Sequence, residues 1–373
     1  MKKQDYPKEF VTHPSVFAVE NEYQIFVPVR SELLMWIEIG KESFYDHSNG
    51  VLRSDTPLHK MCVPMELLDT AKEYTVCYRK VIKRKAYFTE TKDIVKVTYK
   101  FNPIEKGKAI NIYHIADSHS RVKAAVDAAL ANEKKIDLLI LNGDVAEDSS
   151  TIERIIGIYE ISGNITKGQI PCVYSRGNHD MRGICSDRLA EFAPNRYGRT
   201  YYTFRLGDLW GMVLDCGEDK NDDQEEYGNT ICCHAFRLEE TRFIKETIAK
   251  GEFLDNTIKY RMVVCHIPFT RINYNGEGKF NIESELYSEW CRIIGEGVKP
   301  DLYLCGHVHV CTVVMPGDPM DNRGQTCPVI VGTRPCTFDE KEGFTGTALI
   351  LDNDKITVKF TDNVGNEEEI KIK

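Results

Sequence analysis

The chain has 373 residues, a formal net charge of −9, and 42% hydrophobic and 28% charged residues. This length corresponds to two or three domains of roughly 100–200 residues each, and the ordinary composition excludes collagen, coiled-coil and disordered chains. The sequence has no run of about 18 apolar residues that could span a membrane, and its acidic balance argues against general nucleic-acid binding.

The N-terminus carries two lysines but lacks the apolar stretch of a signal peptide. The 13 cysteines, an odd number, are scattered through a long chain without an export signal. We therefore expect reduced thiols and a cytoplasmic protein.

Residues 1–104 have the pattern of a β domain. Apolar side chains alternate with others over residues 23–29 and 35–39, as they do in half-buried strands. Further strands are predicted at 74–80, 86–89 and 94–101. Tyr74 begins one of them, six residues after Leu68, and this spacing resembles the tyrosine corner of fibronectin-type and immunoglobulin-like sandwiches. We therefore expect an N-terminal β-sandwich of that kind.

A different pattern begins after a hinge that contains proline and glycine, at residues 103–107. Short apolar runs now alternate with helical stretches, which is typical of a βαβ sheet. The runs are residues 110–116, 136–141, 170–174, 262–265 and 302–305, and the helices are predicted at 121–134, about 150–160, about 186–192 and 236–250. Residues 105–373 are therefore expected to form a second, α/β domain.

Polar side chains that can bind metals follow each of these five apolar runs. In chain order they are Asp117 and His119, Asp144, Asn178 with His179 and Asp180, His266, and His307 with His309. Because ligands bind beyond the carboxyl ends of strands in open α/β sheets, these side chains are expected to converge. Carboxylate, amide and imidazole groups suit divalent Mn, Fe, Zn or Co, and two such ions can clamp a displacement at phosphorus.

The motifs Asp-x-His, Gly-Asp, Gly-Asn-His-Asp, an isolated histidine and Gly-His-x-His occur here in that order. Together they resemble the calcineurin-like metallophosphoesterase family, over about residues 110–310. The resemblance implies an αββα four-layer sandwich and hydrolysis of a small phosphomonoester or phosphodiester by a hydroxide that bridges two metal ions. The β-sandwich ahead of it is similar to the layout of purple acid phosphatases.

The resemblance also implies a role for each matched residue. The first ion would be held by Asp117, His119 and His309, the second by Asn178, His266 and His307, and Asp144 would bridge them. His179 would lie near the leaving oxygen as a general acid or hydrogen-bond donor. Asp180 and Glu147 are alternative partners for the His179 ring, and we count Asp144, His179 and Asp180 as candidate catalytic residues.

The chain departs from two branches of the family. Glu147 occupies the position of the tyrosine that gives purple acid phosphatases their colour, and the Gly-Asp block lacks the arginine of Ser/Thr protein phosphatases. Two other functions stay open: a pyrophosphatase or nucleotidase on the same fold, and a partner-binding protein whose metal site is inert or structural.

Several neighbouring features have two readings each. Arg176 is expected either to touch phosphate or to pair with an acidic residue, and Asp148 either to assist the site or to cap the next helix. The acidic stretch 218–226 is expected to be a solvated loop, with a lid near the site as the alternative. Cys265, Cys305 and Cys311 are expected to pack in strands rather than bind zinc. The glycine-rich segment 274–278 is expected to be either a plain connection or a loop over the pocket mouth.

Overall fold

A computed structural model describes residues 5–132, 134–271, 280–338, 341–353 and 355–372. Its strands are β1 (Ser15–Val19), β2 (Glu22–Pro28), β3 (Leu33–Ile39), β4 (Glu42–Tyr45), β5 (His47–Ser48), β6 (Val51–Leu52), β7 (Leu58–Pro64), β8 (Glu73–Lys83), β9 (Glu90–Thr91), β10 (Val95–Lys100), β11 (Ile110–Ile115), β12 (Leu138–Asn142), β13 (Pro171–Ser175), β14 (Tyr202–Leu206), β15 (Leu209–Leu214), β16 (Tyr260–Cys265), β17 (Leu302–Cys305), β18 (Thr312–Val314), β19 (Val329–Val331), β20 (Arg334–Phe338), β21 (Lys341–Asp352), β22 (Lys355–Asp362) and β23 (Glu367–Lys371). Its α-helices are α1 (Met65–Ala71), α2 (Val122–Ala131), α3 (Ile152–Thr166), α4 (Leu189–Phe192), α5 (Cys233–Lys250) and α6 (Ser284–Gly297).

The largest sheet joins the N-terminal region to the remainder of the chain. Its strand order is β23-β22-β21-β11-β12-β13-β1-β2-β7, with β20 beside β21. The junction is a parallel pairing of β1 with β13, in which Val16 lies opposite Pro171. One face of β2 contributes Tyr23, Ile25 and Val27 to the core of the N-terminal region, while Phe26 packs on the other face. The two parts of the chain on either side of the predicted domain boundary, between residues 104 and 105, thus contribute strands to the same sheet.

The N-terminal region is rich in strands, and it forms a second layer of its own. That layer has the order β10-β8-β3-β4, with β9 beside β8, and its side chains Met35 and Val76 share a hydrophobic core with those of β1, β2 and β7. The Tyr74 hydroxyl donates a hydrogen bond of 2.9 Å to the carbonyl of Gly168, after α3. In a tyrosine corner the hydroxyl instead bonds to the main chain a few residues upstream, so the tyrosine-corner prediction is wrong. The fibronectin-like assignment stays a prediction.

The predicted strand at residues 86–89 is also wrong. These residues form the bend that links β8 to β9, and Tyr87 and Phe88 are 80% and 92% exposed. Phe88 has a φ of +54°, which strand residues do not adopt. Aromatic residues favour strands on average, but here their side chains have no sheet surface to cover.

A second central sheet packs on the first, and helices cover both outer faces. Its order is β14-β15-β16-β17-β19-β18. Ile112 and Leu304 belong to the core between the two sheets. Ala125 of α2 lies in the outer core of the first sheet, and Trp290 of α6 lies in that of the second. The expected αββα arrangement is confirmed.

This architecture brings several strand ends together. Strands β11, β12 and β13 run parallel in one sheet, and β16 and β17 run parallel in the other. Each of these five strands is followed by one of the polar motifs. In the described part of the chain, no helix combines the length and apolarity needed to cross a membrane.

Candidate metal centre

The main chain bends sharply at the strand ends where the predicted ligands lie. Five of these ligands have φ between 44° and 73°, a left-handed main-chain conformation that residues other than glycine rarely adopt: Asp117, His119, Asp144, His307 and His309. Each such residue costs on the order of 1–3 kcal/mol, so the surrounding structure must hold it in place. Strain of this kind clusters at functional sites, and here it occurs at the predicted ligands that follow β11, β12 and β17.

Two glycines allow the turns after β12 and β13 to touch. Gly143 has a φ of +79°, and a Cβ added to it would lie 2.6 Å from the main chain of Gly177. A Cβ on Gly177 would lie 2.2 Å from Oδ1 of Asp144. Because any side chain at either position would displace the other turn or the Asp144 carboxylate, the Gly-Asp and Gly-Asn-His motifs require both glycines.

The first cluster of possible ligands contains Asp117, His119 and His309, whose ligand atoms all lie within 4.8 Å of one another. The Nε2 atoms of His119 and His309 are 3.0 Å apart, and Nε2 of His309 is 3.4 Å from Oδ1 of Asp117. Asp117 is fully buried. Both of its carboxylate oxygens accept hydrogen bonds from the main-chain N–H of His307, at 3.0 and 2.9 Å, which ties the end of β11 to the end of β17.

The second cluster contains Asp144, His266 and His307, again within 4.8 Å. The Nδ1–H of His266 donates to the carbonyl of Asn142 at 2.6 Å, so its Nε2 carries the free lone pair. Likewise, the Nδ1–H of His307 donates to Oδ1 of Asn178 at 3.1 Å. The structure therefore brings together all seven residues predicted to hold metal, six in these two groups and Asn178 through its contact with His307. A further group, Glu147 and His179, shares His119 with the first cluster.

The donor atoms of these clusters fit a cation. Nε2 of His266 is buried without a hydrogen-bond partner, yet it lies 3.1 Å from Oδ2 of Asp144. A lone pair facing a carboxylate needs either a proton or a metal ion between them. Burial opposes the charged imidazole, but the carboxylates of Asp144 and Asp117 outweigh burial and raise the pKa of His266 to about 10. The same field that holds a proton there can attract a divalent ion.

Charge and burial act differently on the neighbouring groups. Burial, reinforced by the charge of His266, lowers the pKa of His307 to about 4. A hydrogen bond to Asp117 raises the pKa of His309. For Asp144, burial favours the neutral form, but His266 outweighs it and lowers the pKa well below the usual range. Asp144 is thus an anion and His307 a neutral imidazole at neutral pH, which are the ligand forms that a metal needs.

His179 lies beside the first cluster, with its ring 4.8 Å from that of His119. Its Nδ1–H donates to the main-chain carbonyl of Glu147 at 2.8 Å, so the ring partner is neither of the two carboxylates considered from the sequence. Its Nε2 accepts from Nη1 of Arg182 at 3.2 Å. The main-chain N–H of His179 also donates to Oδ1 of Asp144 at 2.8 Å.

Asp180 lies beneath the site and braces its turns. Its Oδ2 accepts hydrogen bonds from the main-chain N–H groups of Asp144 and Gly177, at 3.2 and 2.9 Å, and from the Tyr174 hydroxyl at 3.1 Å. Burial, followed by the charge of Asp144, raises the pKa of Asp180 to about 6. These contacts give Asp180 a positioning role within the structure.

Sequence reasoning missed two charged residues at the site, Glu218 and Asp219, and considered Glu147 only as a partner of His179. Oε2 of Glu147 lies 3.3 Å from Nδ1 of His119, and Oδ2 of Asp219 lies 3.6 Å from Nε2 of His307. Glu218 accepts two hydrogen bonds of 2.8 Å from Arg182. Glu218 and Asp219 are only 1% and 8% exposed, so the prediction of a solvated loop at 218–226 is wrong for its first residues. Their place four and five residues after the end of the apolar strand β15 was the available signal.

For the other features that had two interpretations, the structure shows ion pairs or packing. Arg176 pairs with Asp215 at 2.7 Å. Asp148 accepts from the main-chain N–H of Ser150 at 2.8 Å and pairs with Arg154, while Thr151 is the N-cap of α3. Cys265 and Cys305 are buried in their strands, whereas Cys311 is partly buried and lies just before β18. The segment 274–278 lies outside the described residues.

The comparisons with known proteins agree with this geometry. A sequence profile of the calcineurin-like phosphoesterase family matches residues 110–311, which is more than half of the chain. No curated protein sequence matches significantly. Among solved structures, a purple acid phosphatase, PPD1, from yellow lupin (Lupinus luteus) seeds aligns with a TM-score of 0.61 and 12% identity, over 96% of this chain and 74% of that one. A structure described as PhoD aligns with a TM-score of 0.53 and 11% identity, over 100% and 94%. At these identities the likeness shows the fold alone.

Proposed function

The chain belongs to the calcineurin-like phosphoesterase family and is a phosphoester hydrolase, and from this premise we propose that it uses two metal ions to hydrolyse a small-molecule phosphomonoester or phosphodiester. The proposed ions are divalent or trivalent Mn, Fe, Zn or Co, since carboxylate, amide and imidazole ligands suit all four. A cytoplasmic setting stays a prediction from the cysteine content.

The observation that carries the proposal is the pairing of Nε2 of His266 with Oδ2 of Asp144 inside a buried site. A second set of converging donors lies beside it, with the Nε2 atoms of His119 and His309 in contact. Two adjacent groups of imidazole and carboxylate support two ions, with Asp117, His119 and His309 holding one. Asn178, His266 and His307 would hold the other, and Asp144 would lie between them.

When bound, two such ions supply Lewis acidity that lowers the pKa of water and neutralises phosphoryl oxygens. The chain's own residues orient the reaction. The His179 N–H fixes the Asp144 carboxylate, and the Glu147 carbonyl holds a proton on Nδ1 of His179, so that Nε2 is the ring atom turned away from this anchor. Proton transfer to the leaving oxygen would take place at Nε2, which would then carry a proton in place of the hydrogen bond that it accepts from Arg182. Asp180 would keep the two turns in register.

The proposal is tested by an activity screen over a panel of phosphoesters, with Mn, Fe, Zn, Co and Mg supplied separately. The panel includes monoesters, diesters, nucleotides and pyrophosphate, so it separates a phosphoesterase from a nucleotidase or pyrophosphatase on the same fold. Hydrolysis of a monoester or diester that requires one of the metals supports the proposal. Metal binding without hydrolysis of any member of the panel would support a partner-binding protein instead.

A further inference from the structure

A cavity of about 710 Å³ is lined by Arg182, whose guanidinium contacts His179, and the proposed metal chemistry makes no use of this cavity. Its walls include Met181, Ile184, Tyr227, Ile231 and Phe236. This volume is within the range of small-molecule sites, which are mostly apolar with a few fixed polar groups. The cavity lies outside the clusters that gather the proposed metal ligands.

Arg182 connects the cavity to the catalytic side chains. Its guanidinium lines the cavity, and its Nη1 lies 3.2 Å from Nε2 of His179. Glu218 fixes the opposite edge of the guanidinium through two bonds of 2.8 Å, and the Tyr227 hydroxyl holds Glu218 in turn at 3.0 Å. The end of the cavity nearest His179 is therefore a rigid polar junction, whereas its walls are largely apolar.

The three arginines that line the cavity are already paired. Arg176 is bound by Asp215 at 2.7 Å, Arg199 by Glu239 at 2.7 Å, and Arg182 by Glu218. A charged occupant would have to compete with these pairs or lose its own hydration, so the cavity favours an uncharged group. The exposed faces of Ile184 and Ile231 add apolar surface that such a group could cover.

We propose that this cavity is the leaving-group subsite and that it binds an uncharged aromatic or aliphatic alcohol moiety of the substrate. The inference rests on the proposed phosphoesterase function. In the reaction, the bond from phosphorus to the alcohol oxygen breaks and a bond from phosphorus to a water oxygen forms. The attacking water loses one proton, and the alcohol oxygen gains one from Nε2 of His179 in its doubly protonated form. Arg182 acts as a positioning residue that orients this ring at the mouth of the subsite.

Two phosphomonoesters whose leaving phenols have similar acidity, phenyl phosphate and 2-naphthyl phosphate, test the subsite. The metal-loaded protein is expected to favour the naphthyl ester by about tenfold in kcat/KM, because the second ring covers additional apolar surface. The double variant Ile184→Ser, Ile231→Ser is expected to reduce that preference by about threefold or more. Ile184 is 81% exposed, so its replacement does not disturb the core.

The control is Ile82→Ser, which changes an exposed isoleucine in the N-terminal region and is expected to retain the wild-type preference. Equal kcat/KM for the two esters in the wild type, or a preference that the double variant leaves intact, would overturn the subsite while leaving the phosphoesterase function in place. Failure to hydrolyse both esters and every other phosphoester in the metal panel would instead contradict the proposed function, and the subsite with it.

Discussion

Nε2 of His266 lies 3.1 Å from Oδ2 of Asp144, and both side chains are almost completely buried. The two residues come from different sheets, since Asp144 follows β12 and His266 follows β16. Their contact therefore depends on the packing of the two sheets. It also concentrates charge where a cation would bind, and the following predictions depend on that arrangement.

The stability of the metal-free protein should depend on the protonation of His266. Its pKa in the folded state is about 10, above the usual 6.5. Protonated His266 therefore stabilises the fold fully below about pH 6.5, and this contribution is lost as the pH rises through 10. The difference in Tm between metal-free wild type and His266→Gln should narrow over that range. His47→Gln, at an exposed position, is the control, and a difference between wild type and His266→Gln that stays constant with pH would contradict the account.

Replacing His179 should impair turnover without removing metal. His179→Ala deletes the ring that faces Arg182, and loss of a general acid or hydrogen-bond donor typically lowers kcat by about 10²–10⁴-fold. Metal content by elemental analysis should remain at the wild-type value, because the proposed ligands are intact. His47→Ala, at an exposed site in the N-terminal region, should retain kcat. A His179→Ala protein with wild-type kcat would remove this residue from the mechanism.

A methyl group at Gly177 should disrupt the centre. Its Cβ would lie 2.2 Å from Oδ1 and 2.4 Å from the main-chain nitrogen of Asp144, so the turns must separate. We expect Gly177→Ala to destabilise the protein by about 1–3 kcal/mol in urea unfolding and to weaken metal binding. The matched control is Gly157→Ala in α3, where the nearest atom is 3.7 Å away and alanine favours the helix. Wild-type metal affinity in Gly177→Ala would show that the turns can relax.

Asp180 should behave as a positioning residue. Asp180→Ala leaves the buried N–H groups of Asp144 and Gly177 without their acceptor, which costs about 1–3 kcal/mol. Urea unfolding and metal titration should therefore both show losses, and added metal should partly restore kcat. If Asp180→Ala instead kept its stability and metal affinity but lost kcat, Asp180 would be a catalytic acid or base, as the sequence alone suggested.

The ligand set could be predicted from the sequence because each residue follows an apolar run in a recognisable motif. Parallel strands end at a common edge, so order along the chain is enough to bring Asp117, Asp144 and Asn178 together. The partners of these residues could not be predicted. The ring of His179 donates to the main-chain carbonyl of Glu147. Because every residue has such a carbonyl, the sequence does not indicate which one is the partner.

The layers of the fold could be predicted from the sequence, whereas the pairing between distant strands could not. Alternation in residues 23–29 shows which side chains are buried, but it does not show that β1 lies beside β13. The acidic residues at 218–226 suggested a solvent-exposed loop because Arg182, the partner of Glu218, lies 36 residues earlier in the chain. Helix α6 was missed although Leu286, Trp290 and Ile294 recur at helical spacing on its buried side.

The central claim, that two metal ions held through Asp144 carry the reaction, is tested most directly by measuring metal content and turnover on the same samples. The wild type should bind about two ions per chain and hydrolyse 4-nitrophenyl phosphate or its bis-ester. Asp144→Asn and the double variant His307→Ala, His309→Ala should lose metal and turnover together, whereas Asp127→Asn, on the exposed side of α2, should lose neither. Full turnover by the double variant, or turnover by metal-free wild type, would contradict the account.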